Sequence, residues 1–169
     1  TQSTLKDYPG AASNRPAKLV RAIESVINQT FQDWELIVVA DDCIETLGMA
    51  NYFQTEYKEN RIIAMIEMFQ VYSKWNSRCR NIGKEKATGE YILYLDNDDY
   101  YSPDYLQNLF NAIQEPPATW YIADHFEWIK NSWQMVRARL TMNSAGTANV
   151  IHASTMQSRW PDTGTRGAE

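Results

Sequence analysis

The sequence predicts an α/β fold: a mostly parallel central sheet with helices on both faces, followed by a small β-hairpin region. Apolar runs of strand length at 35–40, 61–68 and 91–95 alternate with segments whose apolar residues recur at helical spacing. The runs are continuous, as in strands buried on both faces of a parallel sheet. Two of them end in acidic clusters, Asp41-Asp42 and Asp96-Asn97-Asp98-Asp99. Ligands of open α/β sheets bind outside the carboxyl ends of the strands, which is where both clusters fall.

The elements follow in order. Residues 1–15 are poor in β-branched apolar residues and hold the turn pairs Pro9-Gly10 and Ser13-Asn14, leaving room for a short strand at 4–8. Leu19, Val20, Ile23, Val26 and Ile27 mark a helix at 16–29, with Pro16 in its first turn and Asn14 as a cap. A strand at 35–40, a helix at 46–58 and a strand at 61–68 come next. A helix at 73–87 is stopped by Thr88-Gly89 and leads to the strand at 91–95. Ser102-Pro103 opens a helix that runs to Pro116-Pro117. Alternating segments at 120–129 and 133–140, separated by Asn131-Ser132, predict a hairpin. Signals after Thr141 are weak, apart from a short element within 152–160. The expected division is an α/β region at 1–115 and a smaller region at 116–169.

Composition bounds the chemistry. The 169 residues carry 16 Lys+Arg and 21 Asp+Glu, a net charge of −5. This balance lacks the basic stripe of an open nucleic-acid surface. Hydrophobic residues at 44% and charged residues at 22% describe a chain able to bury a core. Cys43 and Cys79 lack CxxC and zinc-ligand spacing, which favours a reduced, cytoplasmic-type setting. No apolar run approaches the ~20 residues of a membrane span. His125 and His152 lack metal-ligand spacing and read as polar surface or interface residues, and Cys79 reads as core. The GxGxxG, GxxxxGK[ST] and GxSxG fingerprints do not occur.

The acidic strand ends are the chemical signal. Two unit charges ~4 Å apart repel by roughly 4 kcal/mol at an effective dielectric of 20, so three carboxylates within 96–99 call for an offset. Solvent supplies one if the loop is simply a turn capping the next helix. A hard divalent cation, Mg2+ or Mn2+, is the other offset, held by Asp96 and Asp98 together with a nucleotide diphosphate. Asp41-Asp42 reads either as a helix-capping turn or as an acceptor for the hydroxyls or imide of a nucleoside.

These stretches resemble family 2 glycosyltransferases. The resemblance rests on Asn14-Arg15-Pro16, on the block from Arg21-Ala22-Ile23-Glu24-Ser25-Val26-Ile27-Asn28-Gln29-Thr30-Phe31 through Trp34 to Val39, and on Asp41-Asp42. Arg80-Asn81-Ile82-Gly83, Ala87-Thr88-Gly89-Glu90-Tyr91-Ile92 and Leu95-Asp96-Asn97-Asp98-Asp99 follow in the family's order, so that about residues 14 to 110 are covered. Ser13 stands where the family has a Tyr, and no Gly precedes Arg80-Asn81.

The resemblance implies a GT-A fold, Rossmann-like, with an acceptor region after the DxD motif. It implies an inverting transfer from a nucleotide-diphosphate sugar, a UDP-sugar, to the hydroxyl of a saccharide or other acceptor. Asp96-Asn97-Asp98 is then the DxD motif, with Asp96 near ribose and metal and Asp98 on the metal. Asn14, Arg15, Asp41, Asp42, Arg80, Asp96 and Asn97 become the nucleotide-binding set, with Arg80 near the diphosphate and either Asp41 or Asp42 on the base. Arg166-Gly167-Ala168-Glu169 resembles the approach to the family's Glu-Asp pair, whose base Asp is expected beyond Glu169. Glu169 is therefore the nearest catalytic candidate, with Asp124 and Asp162 as alternatives. The implied location is cytoplasmic, including the inner membrane face. Trp120, Trp128, Trp133 and Trp160 either fill core or line a groove where sugar rings stack. A nucleotidyltransferase would need a basic Gly-rich loop, for which Gly10 to Arg15 is too sparse; a nucleotide-sugar-binding module without catalysis is the non-enzymatic alternative.

Overall fold

The computed structural model describes residues 13–67, 77–113, 119–139 and 146–161. The short strand expected at 4–8 lies outside them. Helix α1, Arg15–Ile27, buries Leu19, Ala22, Ile23 and Val26, the i, i+3, i+4, i+7 stripe of an amphipathic helix. Asn14 holds the N-cap position in the left-handed region (φ 55°), and its side chain makes no cap hydrogen bond. The sequence expectation of an Asn14 side-chain cap is thus not met, because that backbone conformation departs from the extended one usual at a cap.

Strand β1, Leu36–Asp41, passes through α2, Ile44–Glu56, to β2, Ile62–Glu67. The strands pair in parallel, from Leu36 opposite Ile62 to Asp41 opposite Glu67. Period-2 alternation sends Val38 and Ala40 to the face covered by Leu19 and Ile23 of α1 and by Ala50 and Phe53 of α2. Ile62 and Ala40 are fully buried there. Val39 points the other way, toward α3, Ser77–Lys86. Gly83 brings that helix in closely, since a Cβ there would lie 3.6 Å from Val39 Cγ2. Helices therefore cover both faces of β1.

A turn at Ala87-Thr88-Gly89 ends α3, held by the Glu35 carboxylate. Glu35 Oε1 accepts from Thr88 N at 2.5 Å, Thr88 Oγ1 at 3.0 Å and Gly89 N at 2.8 Å. Strand β3, Tyr91–Leu93, is shorter than expected. Its described partner is antiparallel: β7, Val150–Ala153, which also pairs with β4, Trp120–Ile122. The parallel portion of the sheet is accordingly small. Helix α4 covers Tyr105–Ala112.

The expected hairpin differs in extent. The segment 120–129 breaks at Ala123-Asp124, where Asn149 takes over the backbone: Ala123 N donates to Asn149 O at 2.9 Å and Asn149 Nδ2 to Ala123 O at 2.8 Å. Only β5, His125–Ile129, and β6, Ser132–Val136, pair as a hairpin. Lys130 (φ 50°) and Asn131 (φ 62°) form its turn, two left-handed residues as a type I′ connection requires.

His152 also departs from expectation. In the middle strand of a three-stranded sheet it is buried. Its Nδ1 donates to Ala153 O at 2.9 Å, and its Nε2 is hydrogen-bonded with the Tyr94 hydroxyl at 2.9 Å. Cys79, read as core, is buried.

Candidate functional site

The acidic loop is a turn closed by Asp99 N donating to Asp96 O at 3.1 Å. One stripe of α1 and the residues just past its end hold it from outside. Arg21 Nη2 donates to Asp98 O at 2.8 Å, and the guanidinium lies 4.3 Å from the centroid of the Tyr100 ring. Ser25 Oγ accepts from Tyr101 N at 3.1 Å. Gln29 spans to the start of α4, donating from Nε2 to Ser102 O at 2.7 Å and accepting at Oε1 from Leu106 N at 2.9 Å. Thr30 N adds a bond to Pro103 O at 3.0 Å. Sequence reasoning assigned none of these side chains to the loop. The available signal was their spacing: Arg21, Ser25 and Gln29 recur every four residues beside the apolar stripe.

Helix α3 meets the loop from another side. Arg80 Nη2 lies 3.0 Å from Asp96 Oδ1, and its guanidinium lies 5.3 Å from the centroid of the Trp160 ring. Asn81 fixes Trp160 in place with a reciprocal pair of bonds, Nδ2 to Trp160 O at 2.9 Å and Trp160 N to Oδ1 at 2.8 Å. Tyr94 meets the same indole edge-on at 5.2 Å. Trp160 is therefore a support for Arg80, a role its place in a weakly patterned tail did not announce.

The first acidic pair sits at the end of β1. Burial raises the Asp41 carboxyl above the ordinary carboxylate value, and the neighbouring Asp42 charge adds to this. Asp42 has a left-handed backbone (φ 46°), with its N–H donating to Glu67 O at 2.8 Å. Both Asp41 and Arg80 act electrostatically on the Cys79 thiol, whose pKa is raised chiefly by burial, so the end of β1 and the start of α3 lie close together. Burial likewise raises Asp99, and the charges of Asp98 and Asp96 push it further, against His125 and Arg21.

Arg80 and Asp96 are thus in direct contact. Asn14 and Arg15 start α1, and Arg15 is buried. Glu169 and Asp162 lie outside the described residues. Asp124 is engaged in structure, its Oδ1 accepting from Ala138 N at 3.0 Å. Among the described residues no group of three or more His, Cys, Asp or Glu side chains converges to hold a metal. Two aspartates 98 and 96 with a diphosphate suffice for magnesium, which commonly takes one or two carboxylates plus substrate phosphates. The mutual repulsion felt at Asp99 is the local feature a cation would relieve. A cavity of about 660 Å³ borders β1 and β3; Arg80, Asp96 and Asn97 line it while Asp41, Asp42 and Asp98 do not. It is mainly apolar and meets the acidic loop at Asp96 and Asn97.

Helices on both faces of a parallel strand pair, with acidic turns after β1 and β3, define an α/β domain of GT-A type. Residues 11–166 match the description Glycosyl transferase family 2, and the chain belongs to that family. It is 27% identical over 111 residues to the glycosyltransferase GlyG of Streptococcus pneumoniae, covering 65% of this chain and 35% of GlyG. It is 33% identical over 96 residues to the putative colanic acid biosynthesis glycosyl transferase WcaA of Escherichia coli, covering 55% of this chain and 32% of that protein. The fold is similar to that of S. aureus TarS 1–349 in complex with UDP-GlcNAc, with a TM-score of 0.64 and 19% identity over 83% of this chain and 43% of TarS. The chain thus spans about a third of these curated relatives. Among the described residues no helix is long and apolar enough to cross a membrane.

Proposed function

We propose that this chain is the donor-binding part of a glycosyltransferase that moves a sugar from a UDP-sugar to an acceptor hydroxyl, with inversion. The observation that carries the reading is the Arg80–Asp96 contact at 3.0 Å. It joins a cationic and an acidic motif at the end of the sheet where such folds bind ligands. The fold's likeness to a TarS structure solved with UDP-GlcNAc supports the choice of donor.

In this reading Arg80 turns from Asp96 to the diphosphate, as a planar fork suited to phosphate oxygens. Asp96 and Asp98 would hold Mg2+ or Mn2+, and the ion would supply charge stabilisation for the diphosphate leaving group. Asp41 or Asp42 accepts from the nucleobase or ribose, with Asn14 and Arg15 at the nucleotide's edge. The acceptor oxygen attacks C1 from the face opposite the leaving group. The C1–O bond to the diphosphate breaks, UDP departs with that electron pair, and a carboxylate takes the hydroxyl proton. Glu169 is the sequence's candidate for that carboxylate. Two free cysteines, Cys43 and Cys79, support a reducing, cytoplasmic setting.

Calorimetric titration with UDP, with and without manganese, tests the donor site. Binding should tighten at least tenfold with metal, and Asp98→Ala should erase the difference while leaving the fold intact. Equal affinities in the unaltered protein would refute the assignment of the acidic loop.

A further inference from the structure

The chain that leaves β7 is strapped along α3. Ser154 N donates to Glu90 O at 2.9 Å, and Met156 N turns back onto Ala153 O at 3.0 Å. From there the helix takes hold of it. Lys84 Nζ donates to Met156 O, and to Ser158 O at 2.6 Å. Glu85 Oε1 lies 2.7 Å from Arg159 Nη2. Asn81 closes its reciprocal pair of bonds on the Trp160 backbone. Arg80 with Lys84, and Asn81 with Glu85, are neighbours four residues apart on one side of the helix. The grip therefore runs along that side and ends by delivering the Trp160 indole to Arg80.

The indole is braced by the sheet as well. Tyr94 meets it edge-on, and the Tyr94 hydroxyl is hydrogen-bonded with the buried His152. Arg80 thus has two partners of different kinds, the Asp96 carboxylate at 3.0 Å and the Trp160 ring at 5.3 Å from its centroid. A carboxylate cancels the guanidinium charge and competes with any other anion for it. An aromatic face attracts the cation through the ring quadrupole and leaves its charge uncancelled. Arg80 can reach a diphosphate only by giving up Asp96, and a long side chain without a second partner then regains rotamer freedom that binding must remove. The indole is a partner that Arg80 can keep.

We propose that Trp160 is a positioning residue for the donor: its ring holds the Arg80 guanidinium in place for the diphosphate after Asp96 releases it, and the strap at 154–160 sets the ring. The proposal rests on the donor reading above. Because the role runs through the guanidinium, it concerns recognition of the phosphates and not of the nucleoside. Removing the ring should therefore weaken a nucleoside diphosphate and spare the nucleoside.

The test uses the 169-residue chain with manganese, titrated with UDP by calorimetry and with uridine by ligand-observed NMR. Trp160→Leu keeps apolar bulk and removes the aromatic face. It should weaken UDP about three- to tenfold, the size of one cation–π contact, and leave uridine within about twofold. Trp160→Phe should restore most of the UDP affinity. In an Arg80→Gln background, Trp160→Leu should change UDP affinity by less than about twofold, since residues that act through one contact are not additive. Should Trp160→Leu fail to fold by circular dichroism, Lys84→Met, which removes two holds on the strap and leaves Trp160 and Arg80 intact, should give the same loss for UDP alone. Equal losses for UDP and uridine, or an undiminished loss in the Arg80→Gln background, would make the indole a purely structural residue and overturn the proposal. UDP affinity unchanged by the substitutions overturns it too and leaves the donor reading standing. An unaltered chain that does not bind UDP overturns the donor reading, and this proposal with it.

Discussion

Gln29 ties the segment that follows the acidic loop to the end of α1. It is 1% exposed. Its amide donates to Ser25 O at 2.8 Å and to Ser102 O at 2.7 Å, and its oxygen accepts from Leu106 N at 2.9 Å. Gln29→Leu keeps the approximate size and removes all three bonds. The Ser102 carbonyl and the Leu106 N–H then lose these partners in a part-buried setting. Each such loss costs about 1–3 kcal/mol, and burying the leucine recovers part of it. The net destabilisation should be about 2–5 kcal/mol. Urea unfolding followed by tryptophan fluorescence should show a lowered midpoint with an unchanged slope. The folded variant should also bind UDP with manganese less tightly, because the segment from Asp98 to Leu106 has lost a tie to α1. A loss of less than about 0.5 kcal/mol, the range of ordinary surface substitutions, would refute the reasoning that Gln29 positions the loop.

Three further outcomes are expected. Of Asp41→Ala and Asp42→Ala, one should weaken UDP binding roughly tenfold or more, the cost of about 1–3 kcal/mol for an unpaired donor; unchanged calorimetric affinity in both would make the pair a cap alone. Asp99 has a carboxyl pKa raised first by burial and then by Asp98 and Asp96, so its ionisation opposes folding. That cost appears as pH rises from the unfolded value of about 3.9 through the raised folded value, and it is complete above it. Asp99→Asn should therefore stabilise the metal-free protein at neutral pH, and its advantage should fade below about pH 4 in denaturation curves; a constant offset across that range would show that charge is not the cause. Lys130 sits in the left-handed region (φ 50°), which costs a non-glycine residue about 1–2 kcal/mol. Glycine relieves that strain at an entropic cost of about 0.5–1 kcal/mol, so Lys130→Gly should raise stability by about 0.5–1 kcal/mol, measurable as a small increase in Tm.

Hydrophobic period is a local property, and the sequence alone therefore placed α1, β1, α2 and β2 within two residues of their observed ends. The acidic turns were equally legible, because three aspartates within 96–99 after an apolar run are an electrostatic anomaly wherever the chain goes. Pairing is not local. Tyr91-Ile92-Leu93 has the composition of a buried strand, but nothing within it specifies that β7, some 60 residues later, will lie antiparallel beside it. For the same reason His152 looked like a surface residue until the middle strand of a sheet enclosed it. The break at Ala123-Asp124 needed Asn149 to supply the hydrogen bonds that a continued hairpin would have supplied. The holding of the acidic loop by Arg21, Ser25 and Gln29, and the support of Arg80 by Asn81 and Trp160, depend on side chains 16 to 80 positions apart in sequence meeting within about 3 to 6 Å. Residue type fixes which groups are able to bond; only the packed chain decides which of them meet, because the cost of an unpaired buried polar group is settled when the elements close on one another.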